Sequence, residues 1–369
     1  MPDFTIQYLD TPDVAAEPMP EEFSPSRVRR ALVPIVAVVA AIVAAVALVP
    51  GLGSLRERFA GGRPGWLVVA VVLQLLSCAS YVLAFRSVFC RRMSWRTSSE
   101  IGLSELAANT LLSVGGAGGL ALGAWILRRG GLARDHIARR TVAFFLLTSL
   151  SNVGFLFLGG VALATGLLPG APSVALGVVP ALVGLLAIGL ALGARPAAHW
   201  LASRSERPRI AAALRAVSEG VGEALALLRS RQLGIVAGVL GYMLFDVAVL
   251  GVAFEAFGNA VPPVGALLLA YIIGQLGGLI PIPGGIGGVD GGLIGTLVVY
   301  GVDATDAAVA VLAYRGILLA IPALLGLPAL ASLRRRLRAE AHDIAACAPG
   351  QEVEVLGRGA VRMGAPAGS

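Results

Sequence analysis

Apolar residues run almost unbroken through 31–49, 66–85, 141–168, 174–194 and 233–257. At 1.5 Å per residue, each run is long enough to cross a hydrocarbon core of about 30 Å. A sixth run, 307–331, is interrupted by a single charge, Arg315. Two more, 101–128 and 265–301, are broken by glycine clusters: GGAGG at 115–119 and PIPGGIGG at 281–288. The arms of the first broken run, about 13 and 9 residues, are too short to span, which predicts a re-entrant hairpin. Arms of about 16 residues in the second leave open a hairpin or two short crossings. The pattern predicts an all-α polytopic membrane protein. It has about six full transmembrane helices and two glycine-broken re-entrant hairpins, about eight hydrophobic segments in all.

Composition agrees. Hydrophobic residues make up 57% of the 369 and charged residues 14%, against about 25% charge in soluble domains. So few charges cannot wet the surface of a soluble protein of this size. Residues 1–26 are acidic, proline-rich and aperiodic, and 339–369 lack periodicity, so both read as disordered tails around a transmembrane domain at 27–338. The run 31–49 reads as an anchor and not a cleaved signal, because no small-residue cleavage site precedes a polar segment. Cys78, Cys90 and Cys347 are far apart and match no metal spacing; the first two sit in or beside an apolar run and read as small core residues. The three histidines are scattered, so neither a metal nor a cofactor is expected. Nothing marks nucleic-acid binding.

All 29 basic residues are arginine, and their placement sets the orientation. With a cytoplasmic N-terminus and both broken runs entering and leaving on one side, 23 of the 29 fall in the cytoplasm, at 27–30, 86–96, 128–140, 195–231 and 334–338. Arg56, Arg58 and Arg63 fall outside. Both termini are then cytoplasmic in a multi-pass protein of the cell membrane. Ile210, Leu214, Val217, Val221, Leu225 and Leu228 recur at helical spacing opposite Arg215, Glu219, Glu223 and Arg229. This predicts a cytoplasmic helix at about 209–231, lying in the membrane interface or packed on the inner end of the bundle.

A shift of about 170 residues superposes the halves, a first repeat at about 66–168 on a second at about 233–331. GGAGG falls on GGIGG, and Gly131-Leu132 on Gly301-Val302. By the arginine count the first hairpin opens to the cytoplasm and the second outward. Inverted repeats with broken helices near the midplane are the architecture of alternating-access transporters. Irregular backbone survives at that depth only where protein or a water-filled cavity satisfies it.

The strongest local signal is PIPGGIGGVD at 281–290. Pro281 and Pro283 stop one short helix; Gly284, Gly285, Gly287 and Gly288 permit a tight reversal. The helix starting near Val289 then offers free N–H groups to an anion. Asp290 and Arg315 are charges at membrane depth, each needing a partner or a cavity. Paired, they form a staple; a free Arg315 suits a phosphate. In the first hairpin Glu105 and Asn109 share a helical face at i, i+4, lining a cavity or marking its wet mouth. Asp246 and Asn152 are weaker candidates, with Asn152 read as a helix-to-helix hydrogen bond. No hydrolase, nucleotide or metalloprotease motif is present, so no enzyme is expected.

Residues 281–315 resemble the signature of the lysylphosphatidylglycerol synthase transmembrane-region family. That signature is a Pro-Gly-Gly-x-Gly stretch, an acidic residue soon after, a Gly-Val closing the next helix and an arginine in the one following. Asp290 stands at the acidic place, where glutamate is more usual, and Tyr314-Arg315 at the arginine place. The stretch from Asn109 to Leu132 is similar to the family's upstream block, and the resemblance covers about 66–331. Phe144-Phe145 stand where relatives often carry charge.

The resemblance implies a flippase-like module of the kind found in multiple peptide resistance factors, without the soluble synthase domain. The expected cargo is a phosphate-bearing lipid: an anionic or aminoacylated phospholipid, or a polyprenyl-linked one. A homo-oligomer and a separately encoded lipid-modifying enzyme stay open as partners. A secondary transporter of a small anionic solute and a non-transporting membrane scaffold are the alternatives.

Overall fold

A computed structural model describes residues 61–111, 117–170, 172–205, 207–230, 232–279, 285–345 and 347. Run 31–49, both ends of the chain and Pro281, Pro283 and Gly284 lie outside the described residues. The described chain is helical: α1 Pro64–Phe89, α2 Trp95–Leu111, α3 Ala117–Arg129, α4 Arg134–Ala164, α5 Ala175–Arg204, α6 Pro208–Arg229, α7 Leu233–Ala256, α8 Val264–Gln275, α9 Gly288–Val299 and α10 Ala304–Ala345. Five of these (α1, α4, α5, α7 and the Ala304–Leu333 part of α10) are long and apolar enough to cross a membrane.

The broken runs form the expected short arms. Helices α8 and α9, at 12 residues each, rise about 18 Å, too little to span. Helices α2 and α3 are longer than the sequence implied, at 17 and 13 residues. The polar stretch from Trp95 to Glu100 propagates the helix once its first turn is formed.

α1 and α7 pack along their whole length, antiparallel. Arg63 N–H donates to the Ala256 carbonyl at one end, and Gly234 sits against Ser87 at the other. Glycines make the approach possible: a Cβ on Gly238 would lie 2.5 Å from the Ala84 nitrogen. Most helix pairings are repeated when α1–α4 are exchanged for α7–α10. α2 packs on α10 as α8 packs on α4, and α2 pairs with α3 as α8 pairs with α9.

The helix starts obey the same shift: 64 and 233, 95 and 264, 117 and 288, 134 and 304. The cap residues repeat too. Gly131 (φ 94°) and Gly301 (φ 90°) both close a helix in the left-handed region. Leu132 N–H bonds to the Leu127 carbonyl, and Val302 N–H to that of Leu297, the six-to-one bond of a Schellman cap. A Cβ at either glycine meets nothing within 4 Å, so a side chain there costs only backbone strain. Gly131→Ala and Gly301→Ala are each expected to lower stability by about 1–2 kcal/mol, read as equal drops in unfolding temperature in detergent.

The arginine-bearing ends gather at one end of the bundle. A single core there joins Phe89, Met93, Leu127, Ile137, Ala224, Leu333 and Ile344. Gly130 abuts Ile344, and Arg139 pairs with Glu219 at 3.2 Å. The first hairpin opens toward this end. The second opens away from it, where Tyr300 Oη donates to the Leu176 carbonyl at 2.7 Å and Gly170 meets Pro263.

Two expectations need correction, and one open placement is decided. Cys90 is not a lone core residue: it forms a disulfide with Cys347 across 257 positions, while Cys78 is free and buried. Spacing cannot show a pairing that only the converging ends of α1 and α10 create. Residues 339–345 are helix and not tail, because α10 continues to Ala345 and buries Ile344. The helix at about 209–231 is α6, packed on α4 and α5 with Val221 and Ala224 buried, while Ile210, Val217 and Leu228 stay exposed on its outer side. Exposed apolar residues also line α5, among them Val179, Leu182, Leu186 and Leu190.

Candidate functional site

The glycine break of the second hairpin leads into a charged pair. Gly285 (φ 64°) and Gly287 (φ 86°) take backbone angles that other residues rarely adopt. They turn the chain into α9, where Asp290 occupies the third position. One of its carboxylate oxygens accepts the Gly287 N–H at 2.7 Å, capping the helix start. The other accepts Arg315 Nε at 2.7 Å. Arg315 comes from α10, is only 6% exposed, and its guanidinium lies across from Gly285.

The structure therefore makes the pair, and the guanidinium is not left unopposed. Tyr314 beside it is fully buried, and no hydrogen bond to its hydroxyl is found among the described residues.

The hairpin arms touch through backbone. Gly277 and Gly288 are so close that a Cβ on the first would collide with the carbonyl of the second, and a Cβ on Gly292 would lie 3.1 Å from the Gly274 Cα. The small residues of 265–301 thus pack the arms together as well as shape the break.

The first hairpin places its polar residues as the i, i+4 spacing predicts. Asn109 Oδ1 accepts the Gly119 N–H of α3 at 2.7 Å. Glu105, 1% exposed, accepts a hydrogen bond from Tyr81 Oη at 2.9 Å. Gly123 of α3 presses directly on its carboxylate, with no room for a side chain. Glu105 is therefore interior and does not mark a wet mouth.

Asp246 is the residue that sequence reasoning undervalued. It is 2% exposed and joins three helices. Ser77 Oγ donates to it at 2.6 Å, Tyr271 Oη at 3.3 Å and Gln74 Nε2 at 3.4 Å. Gln74, Ser77 and Tyr271 had no signal beyond being polar within apolar runs. Tyr242, one turn before Asp246, meets Tyr81 edge to face at 5.2 Å. Polar groups thus run from Glu105 through Tyr81 and the half-buried Tyr242 to Asp246 and Tyr271. Asn152 Oδ1 is buried without a hydrogen bond among the described residues, so the helix-to-helix bond expected of it is not formed there.

Beside the first hairpin, α3 and α4 border an open apolar cleft of about 540 Å³ lined by Leu120, Ala124, Ile137 and Val142, with Arg128 and Arg134 at the arginine-rich end. No group of three or more His, Cys, Asp or Glu residues that could hold a metal occurs among the described residues.

A helical bundle with apolar helices long enough to cross a membrane, two glycine-broken hairpins and charges buried behind the breaks defines a multi-pass membrane protein. The family described as lysylphosphatidylglycerol synthase TM region matches residues 35–326, and the chain belongs to that family. The match begins ahead of 66, so it takes in most of the apolar run 31–49 as well. No curated protein matches the chain.

Proposed function

We propose that this bundle moves a phosphate-bearing lipid, anionic, aminoacylated or polyprenyl-linked, across the cytoplasmic membrane. One observation carries the reading. A guanidinium is held in the protein interior, beside a broken helix, by the Asp290 carboxylate, whose place another anion can take. A phosphate matches the guanidinium fork, so a passing headgroup can replace Asp290 on Arg315 and then give it back. The α3–α4 cleft supports lipid over a soluble solute, since apolar walls with arginines at one end fit an acyl chain and a headgroup.

The antiparallel packing of α1 on α7, with equivalent helices about 170 residues apart, supports an inverted repeat and hence alternating access. We place the arginine-rich end, with both termini, in the cytoplasm. Cys90 and Cys347 lie at that end, and a reducing cytosol keeps such a pair as thiols. Maleimide labelling in intact cells therefore reports on the orientation. The reading is one of movement and involves no bond-making step.

Purified full-length protein in liposomes is expected to accelerate the transbilayer movement of labelled phosphatidylglycerol or another phosphate-bearing lipid. No acceleration over empty liposomes with any of them overturns the reading. The buried carboxylates Glu105 and Asp246 favour a second reading, ion-coupled transport of a soluble anion. Uptake that needs a proton gradient, without lipid movement, would select it.

A further inference from the structure

A second cavity lies at the arginine-rich end, away from the hairpin breaks. The last turn of α1, the start of α4, the end of α6 and the approach to α7 enclose about 440 Å³. Its polar wall carries Arg91, Arg92, Arg140 and His136, and no acidic side chain is among its described lining residues. Val88, Phe89 and Leu227 form its apolar part.

The wall is built from fixed parts. Arg140 Nη1 donates to the Val88 carbonyl at 2.6 Å, and its Nε faces Glu223 at 3.2 Å from outside the cavity. Cys90 and Cys347, side by side in the lining, set where the chain stands immediately before Arg91 and Arg92. Three guanidinium groups around one small space repel each other, and among the described residues Glu223 alone is paired with one of them, offsetting only part of that charge. An anion with several oxygens relieves the repulsion, and planar guanidinium forks suit phosphate oxygens better than a point charge would.

We propose that this cavity binds a phosphate-bearing anion, either the headgroup of an anionic lipid or a free phosphate compound. Its apolar part sits where the first carbons of a lipid would follow the headgroup. The site does not depend on translocation and is tested by binding alone.

The test uses the full chain in mild detergent with two probes: phosphatidylglycerol in mixed micelles, followed by native mass spectrometry, and inorganic pyrophosphate, followed by calorimetry. Arg91→Gln/Arg92→Gln is compared with Arg335→Gln/Arg336→Gln, which removes the same charge from exposed positions outside the cavity. Arg91 and Arg92 are themselves exposed, so the fold is expected to keep its unfolding temperature.

Binding of at least one probe is expected to weaken roughly tenfold or more in the first variant and to stay unchanged in the second. Arg91→Lys/Arg92→Lys keeps the charge but loses the fork, and is expected to show an intermediate loss. Lipid alone responding assigns a membrane ligand; pyrophosphate alone responding assigns a soluble one. Equal loss in both double glutamine variants, or no saturable binding of either probe, overturns the proposal.

Discussion

Asp290→Ala is expected to cost about 3–5 kcal/mol of stability, because it leaves the Arg315 guanidinium buried without its carboxylate. Asp290 also accepts the Gly287 N–H, and losing that cap adds about 1 kcal/mol. The double replacement Asp290→Ala/Arg315→Leu removes both charges from the interior, so most of the loss should be recovered. The two readings of the pair then separate. If it is only a staple, the double variant regains lipid movement together with its unfolding temperature. If Arg315 holds a phosphate during passage, stability returns and movement does not. Thermal unfolding in detergent and the liposome assay, run on the same preparations, give both answers.

Gly277→Ala is expected to be the most damaging single methyl in the second hairpin. Its Cβ would fall on the Gly288 carbonyl and close to the Val289 nitrogen. Backbone cannot swing aside as a side chain can, so the arms must part. Overpacking of this kind costs about 1–3 kcal/mol and sometimes more. The intrinsic preference of helix for alanine, at most about 1 kcal/mol, works in the other direction and is too small to compensate. Gly295→Ala on α9 is the control: a Cβ there meets nothing within 4 Å. It should gain a few tenths of a kcal/mol up to about 1. Opposite shifts in unfolding temperature for the two variants are the expected result; equal shifts would mean that the arms are not in backbone contact.

Much of the candidate site was legible before any coordinates. Glu105 and Asn109 follow from i, i+4 spacing, and both do face α3. Asp290 and Arg315 stand out because ionisable groups are rare in apolar runs. The equivalence of Gly131 and Gly301 was visible as a 170-residue shift and returns as the same left-handed cap. What stayed hidden has a common cause. Helices α1 and α7 are apolar all round, so no amphipathic stripe tells which face is buried. Ser77 and Gln74 could as well have faced lipid as Asp246.

By itself, the sequence determined the number of long apolar runs, the positions of the breaks and the end of the molecule that collects arginine. These follow from chain-local physics: a backbone in lipid must satisfy its own hydrogen bonds, and glycine and proline interrupt the only structure that does so. Tertiary structure alone decided that Arg315 meets Asp290, that Asp246 gathers donors from α1 and α8, and that Cys90 reaches Cys347. Each of these depends on how helices are rotated about their axes and slid past one another. Close glycine packing fixes those quantities, and no periodicity within one helix records them.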